Sequence, residues 1–263
     1  MFKTDYHLHT NRSFDGQMTI FELCEKAIDL GFSDIAITDH CECNALNVLY
    51  DYDLSKKDYL IAKEKYKGKI AIKFGIEIGQ PTQNLEYANK LLDNANYDFI
   101  IGSLHNNENE LDYLDLDYGK IDIDEYLTKY YNEILQMCNW GKFDVLGHLD
   151  YPSRYLARVL AKYDMLKYKD EIAKIFLKLI NDGKGIEVNT STTKDILGRT
   201  MPQFELIKLY KDLGGQIITI GSDAHKTEYI GLNFENAREQ IINAGFKYIS
   251  IFENRKASYV KLD

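Results

Sequence analysis

Apolar residues along this chain follow two rhythms. Short, nearly continuous apolar runs rich in β-branched residues lie near Lys3–His7, Asp34–Thr38, Ile70–Ile76, Phe99–Gly102, Phe143–Gly147, Gly185–Asn189 and Gln216–Ile220, and predict strands. Between them, apolar positions recur every three to four residues near Ile20–Leu30, Ser55–Lys65, Asn84–Asn94, Asp124–Asn139, Tyr168–Asn181, Gln203–Leu213 and Phe234–Ala244, which predicts amphipathic helices. Thr19 is placed to cap the first of these, and Gly31, Gly183 and Gly214 stand where helices end. A last run, Tyr248–Ile251, fits either an eighth strand or a peripheral one.

Strand–helix alternation with largely apolar strands implies a parallel sheet covered by helices. A doubly wound sheet would place a Gly-rich turn after the first strand, and none follows it here. Polar residues instead follow nearly every strand. That pattern fits a closed α/β barrel of the TIM-like kind, with its chemistry at the carboxyl ends of the strands.

Composition narrows the class. The 263 residues hold 45% hydrophobic and 28% charged side chains, three prolines and no low-complexity stretch, so a single domain over 1–263 is expected. No apolar run approaches a membrane span and no signal-peptide pattern opens the chain, so neither membrane association nor export is expected. The net charge of −9 argues against a broad nucleic-acid surface. Cys24, Cys41, Cys43 and Cys138 show no disulfide framework, consistent with a cytoplasmic protein. Oligomeric state is left open.

The histidines change the picture most. In Asp5-Tyr-His-Leu-His-Thr10, strand alternation puts His7 and His9 on one face, where two imidazoles can grip one metal ion. A lone His-x-His pair serves equally well as two satisfied core residues. All six histidines, however, fall at or just after a predicted strand end: His7, His9, His40, His105, His148 and His225. Acids join them. Glu77 interrupts an apolar run, where an unpaired carboxylate is costly. Asp223 precedes His225 by two residues, Asp39 precedes His40, and Asp15 lies in the turn after the first strand. A cluster this large exceeds what one ion needs and points to two or three ions with a bridging carboxylate. Cys41 and Cys43 form a Cys-x-Cys pair able to bind soft metals, yet the rest of the cluster does not require them. The acidic stretch Asn107–Asp124 is read either as a solvated loop or as a cover whose Glu108, Glu110 or Asp112 contacts an amine-bearing substrate.

In order, Asp-Tyr-His-Leu-His-Thr, Ile-Thr-Asp-His, Gly-Ile-Glu-Ile-Gly, Gly-Ser-Leu-His, Gly-His-Leu-Asp-Tyr and Ile-Gly-Ser-Asp-Ala-His span nearly the whole chain. The set resembles the PHP (polymerase and histidinol phosphatase) metal-dependent phosphoesterases, and Gly-His-Leu-Asp-Tyr-Pro-Ser-Arg-Tyr resembles their histidinol-phosphatase branch. The resemblance implies a distorted (β/α)7 barrel with a trinuclear centre of zinc, manganese or iron. It places His7, His9, Glu77 and Asp223 on the first ion. Glu77 would bridge to a second ion with His105 and His148, and Asp15, His40 and His225 would hold the third. Asp15 departs from the histidine that several family members carry, which favours a harder ion there.

The implied activity is metal-assisted hydrolysis of a small phosphomonoester, L-histidinol phosphate in histidine biosynthesis, with in-line attack of water at phosphorus. Glu77, Asp223 and His225 would take part in catalysis. Arg154 would clamp the phosphate, with Arg199 a second candidate, and Asp150 or His225 would serve the leaving oxygen. Alternatives are another PHP phosphoesterase, acting on a phosphotyrosyl protein or a nucleotide, and a regulatory metal-binding protein without turnover. A polymerase-associated exonuclease is disfavoured by the missing polymerase domain and the acidic charge.

Overall fold

The seven apolar runs become parallel strands β1 (Thr4–Leu8), β2 (Asp34–Ile37), β4 (Ala71–Gly79), β5 (Phe99–Ser103), β6 (Val145–Leu146), β7 (Gly185–Asn189) and β8 (Ile218–Gly221), and a short strand that no run predicted, β3 (His40–Glu42), joins them. This is a computed structural model, which describes residues 2–45, 50–160 and 163–262. The strand order is β1-β2-β4-β5-β6-β7-β8, with β3 also paired to β4. Residues Asp34–Ile37 lie beside Ala71–Phe74 and residues His40–Glu42 lie beside Glu77–Gly79, so β2 and β3 are two halves of one interrupted strand position. The circle nearly closes where β8 runs on beside β1: Asp223 N–H donates to the His7 carbonyl at 2.8 Å and His9 N–H to the Ala224 carbonyl at 3.0 Å. A Cβ at Gly221 would sit 2.1 Å from Glu187 Oε1 and 2.4 Å from His7 Cβ, so only glycine permits this approach of β8 to β1. The architecture is the expected seven-position α/β barrel.

The predicted helices form the outer layer: α1 (Ile20–Asp29), α2 (Tyr52–Lys65), α3 (Leu85–Asp93), α4 (Ile123–Trp140), α6 (Lys169–Asn181), α7 (Phe204–Asp212) and α8 (Phe234–Asn243). A further short helix, α5 (Ser153–Val159), follows β6. It escapes the periodicity argument because seven residues give under two full turns. Thr19 caps α1 in a reciprocal pair with Glu22, and Gly31, Gly183 and Gly214 take positive φ just beyond their helices.

The last run resolves as peripheral. β9 (Tyr248–Glu253) and β10 (Lys256–Lys261) form an antiparallel hairpin of their own. It closes the amino end of the barrel. Phe252 enters a small inner core with Tyr6, Phe99, Ile101 and Val145, distinct from the larger core between strands and helices. With its amino end stoppered by apolar side chains, the barrel opens at its carboxyl end.

Candidate metal centre

At the carboxyl end, strand alternation does what the sequence implied. His7 and His9 are fully buried on one face of β1 and its extension, with ring centroids 4.9 Å apart. Glu77, on β4, lies at the centre of the cluster and is completely buried. Its Oε2 is 2.8 Å from His40 Nδ1, 3.3 Å from His7 Nε2 and 3.7 Å from His9 Nε2. Its Oε1 is 2.9 Å from His148 Nε2 and 3.4 Å from His105 Nε2. The two oxygens thus face two different sets of imidazoles, which is the layout of a bridging carboxylate.

Asp223 stands just beyond β8 at φ +55°, a left-handed conformation that Asp tolerates at some cost. That turn aims Oδ1 at His9 Nε2, 3.1 Å away, and at His7 Nε2, 3.6 Å away. On the outer side, His225 Nε2 lies 3.0 Å from Asp15 Oδ2 and 3.4 Å from His40 Nε2, and His40 Nε2 is 3.8 Å from the same Asp15 oxygen. All nine residues named for the three ions therefore meet on one rim. Eight of them, all but Asp15, fall in overlapping donor groups: His7, His9 and Asp223; Glu77, His105 and His148; and His9, His40 and His225; a fourth group joins His40 and His105 to Glu42.

These donors fit metal ions better than they fit each other. His7 Nε2, His40 Nδ1 and Glu77 Oε2 are buried at short separations without the angles of a hydrogen bond. Two pairs of imidazole Nε2 atoms, His105 with His148 and His40 with His225, are 3.4 Å apart. Ligands about 2.0–2.1 Å from one tetrahedral ion lie roughly 3.3 Å from each other. Electrostatics agrees for Glu77 and His9. Burial pushes the Glu77 carboxyl up, yet His40, His7 and His105 together hold it well below the usual carboxylate range. Burial, then His225 and His40, keep His9 well below the usual imidazole range, so it presents a neutral lone pair. For His7, burial is outweighed by Glu187, Glu77 and Asp223, which raise it well above that range.

Two residues of this centre went unassigned from sequence. Glu187, buried in β7, accepts from His7 Nδ1 at 2.6 Å and from the His148 N–H at 2.9 Å, which orients His7 toward the cluster. Its signal was present: an acid inside the apolar run Gly-Ile-Glu-Val, the same reasoning that singled out Glu77. Glu42 lies 3.1 Å from His40 Nδ1 and 3.2 Å from His105 Nδ1. The alternation of His40-Cys41-Glu42-Cys43 turns His40 and Glu42 inward and both cysteines outward into the hydrophobic core. The Cys-x-Cys pair is thus packing, and no donor group among the described residues includes a cysteine.

Above the cluster opens a cleft of about 900 Å³. Arg154 and Arg158 line one wall and both approach Asp195 Oδ2, at 3.5 and 3.2 Å, with Lys194 and Lys226 nearby in the lining. Tyr151 packs against the His148 and His105 rings and bonds to Tyr155 through their hydroxyls at 2.8 Å. The stretch after β5 covers the opposite wall, where Glu110, Leu111, Asp112 and Leu114 face the cleft. Glu108 does not line it, and its backbone N–H is anchored on Glu133 at 3.0 Å. Asp150 and Arg199 do not reach the lining either. Asp150 is wholly buried and accepts from Arg199 at 2.8 Å, a pair set behind the cleft wall. Arg199 Nη1 is held by this partner and by the Thr200 carbonyl at 2.7 Å.

The likeness to known proteins runs the same way. A "Probable histidinol-phosphatase" of Clostridium acetobutylicum is 32% identical, covering 97% of this chain and 98% of its own. One of Thermotoga maritima is 29% identical over 98% and 99%. The crystal structure of histidinol phosphate phosphatase from Lactococcus lactis subsp. lactis, complexed with zinc, L-histidinol and phosphate, superposes with a TM-score of 0.86 at 25% identity, covering 97% of this chain and 98% of that one. Residues 5–191 match the PHP domain. With barrel, rim cluster and motif order in agreement, the chain belongs to the PHP domain family.

Proposed function

We propose that this protein is a metal-dependent phosphomonoesterase that hydrolyses L-histidinol phosphate to L-histidinol and phosphate. The observation that carries the reading is Glu77, whose two oxygens face separate sets of imidazoles, of which His40, His105 and His148 line a cleft that also presents Arg154 and Arg158. His7, His9, Asp223 and Glu77 would hold one ion, Glu77, His105 and His148 a second, and Asp15, His40 and His225 a third. Zinc suits these nitrogen and oxygen donors, as in the Lactococcus lactis enzyme, and manganese or iron suits them as well. When bound, such ions polarise the phosphoryl oxygens and lower the pKa of water toward neutrality.

The chain's own residues do the rest. Arg154 presents its guanidinium to the phosphate, releasing its long contact with Asp195. Arg158 and Lys194 add positive charge on the same wall. Asp223 Oδ2, which accepts a long bond from Asn189 Nδ2 at 3.4 Å, takes the proton of the attacking water and returns it to the departing alkoxide, so proton count balances across the step. Opposite, Glu110 and Asp112 offer negative charge to an ammonium-bearing leaving group, and Tyr151 and Tyr155 give its ring an aromatic face. The four cysteines, all buried as free thiols, suit a cytoplasmic setting.

The test is phosphate release from L-histidinol phosphate beside p-nitrophenyl phosphate, phosphotyrosine and a nucleoside monophosphate, after chelation and reconstitution with each metal. Strong preference for histidinol phosphate is expected, with turnover of all four esters falling in Arg154→Ala. Equal turnover of all four esters would sink the substrate assignment and leave a general phosphatase.

A further inference from the structure

We propose that Glu42 is a positioning residue that couples two of the ions. Its carboxylate holds the Nδ1 atoms of His40 and His105 and so turns the Nε2 atom of each toward a different metal. The inference rests on the metal-centre reading given above.

Glu42 Oε1 is 3.1 Å from His40 Nδ1 and 3.2 Å from His105 Nδ1. The opposite nitrogens diverge. His105 Nε2 faces His148 Nε2 and Glu77 Oε1, whereas His40 Nε2 faces His225 Nε2 and Asp15. An imidazole whose Nδ1–H donates to a carboxylate keeps its lone pair on Nε2, with the ring plane fixed. His40 Nδ1 is buried without a hydrogen bond of good geometry, lying 2.8 Å from Glu77 Oε2 and 3.1 Å from Glu42 Oε1. Glu77 has both oxygens turned to the two inner ions, so Glu42 is the partner left for His40.

The carboxylate is itself seated. Gln80 Nε2 donates to Glu42 Oε2 at 2.6 Å, while Gln80 Oε1 accepts from the His105 N–H at 3.2 Å. Gln80 reaches both from a left-handed backbone at φ +49°. A Cβ at Gly79 would lie 2.4 Å from Glu42 Oε2, so glycine there leaves the seat open. Glu187 offers a contrast within the same centre: it serves one imidazole, His7, and otherwise accepts from His148 N–H and Asn189. Glu42 serves two, and the two belong to different ions. A shared carboxylate makes the second and third sites form or fail together.

The test counts ions per chain by mass spectrometry on the zinc-loaded full-length protein during stepwise titration with a chelator. The wild type holds three ions. Glu42→Ala is expected to lose two of them together, at about ten- to a hundredfold lower chelator concentration, while keeping the ion of His7, His9 and Asp223. Gly79→Ala displaces the carboxylate without removing it and loses the same two ions more mildly, which covers the case in which Glu42→Ala fails to fold. Imidazole proton–nitrogen spectra of the zinc form should show protonated Nδ1 on His40 and His105 in the wild type and lose that signature in Glu42→Ala. Retention of all three ions at the wild-type chelator concentration, loss of only one, or a fourth wild-type ion that vanishes with Glu42 would each overturn the coupling. A wild type that binds a single ion would overturn the metal-centre reading itself, and the coupling with it.

Discussion

At the amino end of the barrel, acids are answered. Asp144 accepts from the Ile100 N–H at 2.8 Å and from Arg255 Nε at 2.5 Å. Asp98 accepts from the backbone N–H groups of Phe74 and Asn254, at 3.0 and 3.1 Å, and from the Tyr59 hydroxyl. Asp34 accepts from Tyr6, whose hydroxyl in turn accepts from Phe252 N–H at 3.0 Å. At the carboxyl end, Glu77 and Asp223 face mainly imidazoles, several of them at short distance without hydrogen-bond geometry. Both ends bury carboxylates. One end closes its polar groups on the chain itself, and the other leaves them converging on points where an ion belongs. Satisfied charge holds the fold together, while charge left open to a ligand performs the chemistry.

The sharpest way to break this contrast is Glu77→Gln, which keeps volume and removes the bridging charge. Turnover of histidinol phosphate is expected to fall about a thousandfold or more, on the order of 4 kcal/mol in the barrier, with fewer ions retained per chain. The amino-end network is untouched, so the variant should still fold. Activity within tenfold of wild type would remove Glu77 from the centre of the mechanism.

The converse is Arg255→Ala in the turn between β9 and β10. It takes the guanidinium away from Asp144, which keeps its bond from the Ile100 N–H, so with Arg255 partly exposed the cost is at most about 3 kcal/mol. Urea unfolding should register that loss, while turnover per folded molecule stays at the wild-type value. A large fall in turnover with unchanged stability would reverse the roles assigned to the two ends.

How much of this was legible beforehand follows the same division. The barrel and the nine rim donors could be read because strand alternation and strand-end position are short-range properties, and six histidines at strand ends make a dense signal. Glu42 was hidden by an interruption: Thr38 and Asp39 break one strand position into β2 and β3, so the extended backbone at His40–Glu42 is not announced by apolar residues. Asp150 and Arg199 were misplaced for a different reason. Spacing from a motif says that a side chain is near the rim but not which side of the wall it faces, and here the pair turned inward on itself. The hairpin that stoppers the barrel was ambiguous because Tyr248–Ile251 has a strand's composition, and only tertiary pairing decides its neighbour.

The smallest effect separates the ends by pH. Burial pushes the Asp34 carboxyl up to about 6 from an ordinary 3.8, against the opposing pull of Lys73 and Tyr6. A raised folded-state value means the folded protein holds this proton more tightly than the unfolded chain. The contribution is therefore fully present below pH 3.8 and is lost as pH rises through about 6. The loss amounts to about 2 to 3 kcal/mol. Glu77 and Asp223, both held below the usual range, act in the opposite sense: their contribution is present above the ordinary carboxylate pKa and is lost as pH falls through their depressed values. Asp34→Asn isolates the amino end. Asparagine still accepts from Tyr6 but does not titrate, so unfolding free energies of variant and wild type should diverge from pH 4 to about pH 6, the variant gaining, and run parallel above that. Parallel curves from pH 4 to about pH 6 as well would mean that Asp34 ionises normally. The tyrosine and lysine beside it would then suffice to solvate its charge, and the amino end would carry no pH dependence of its own.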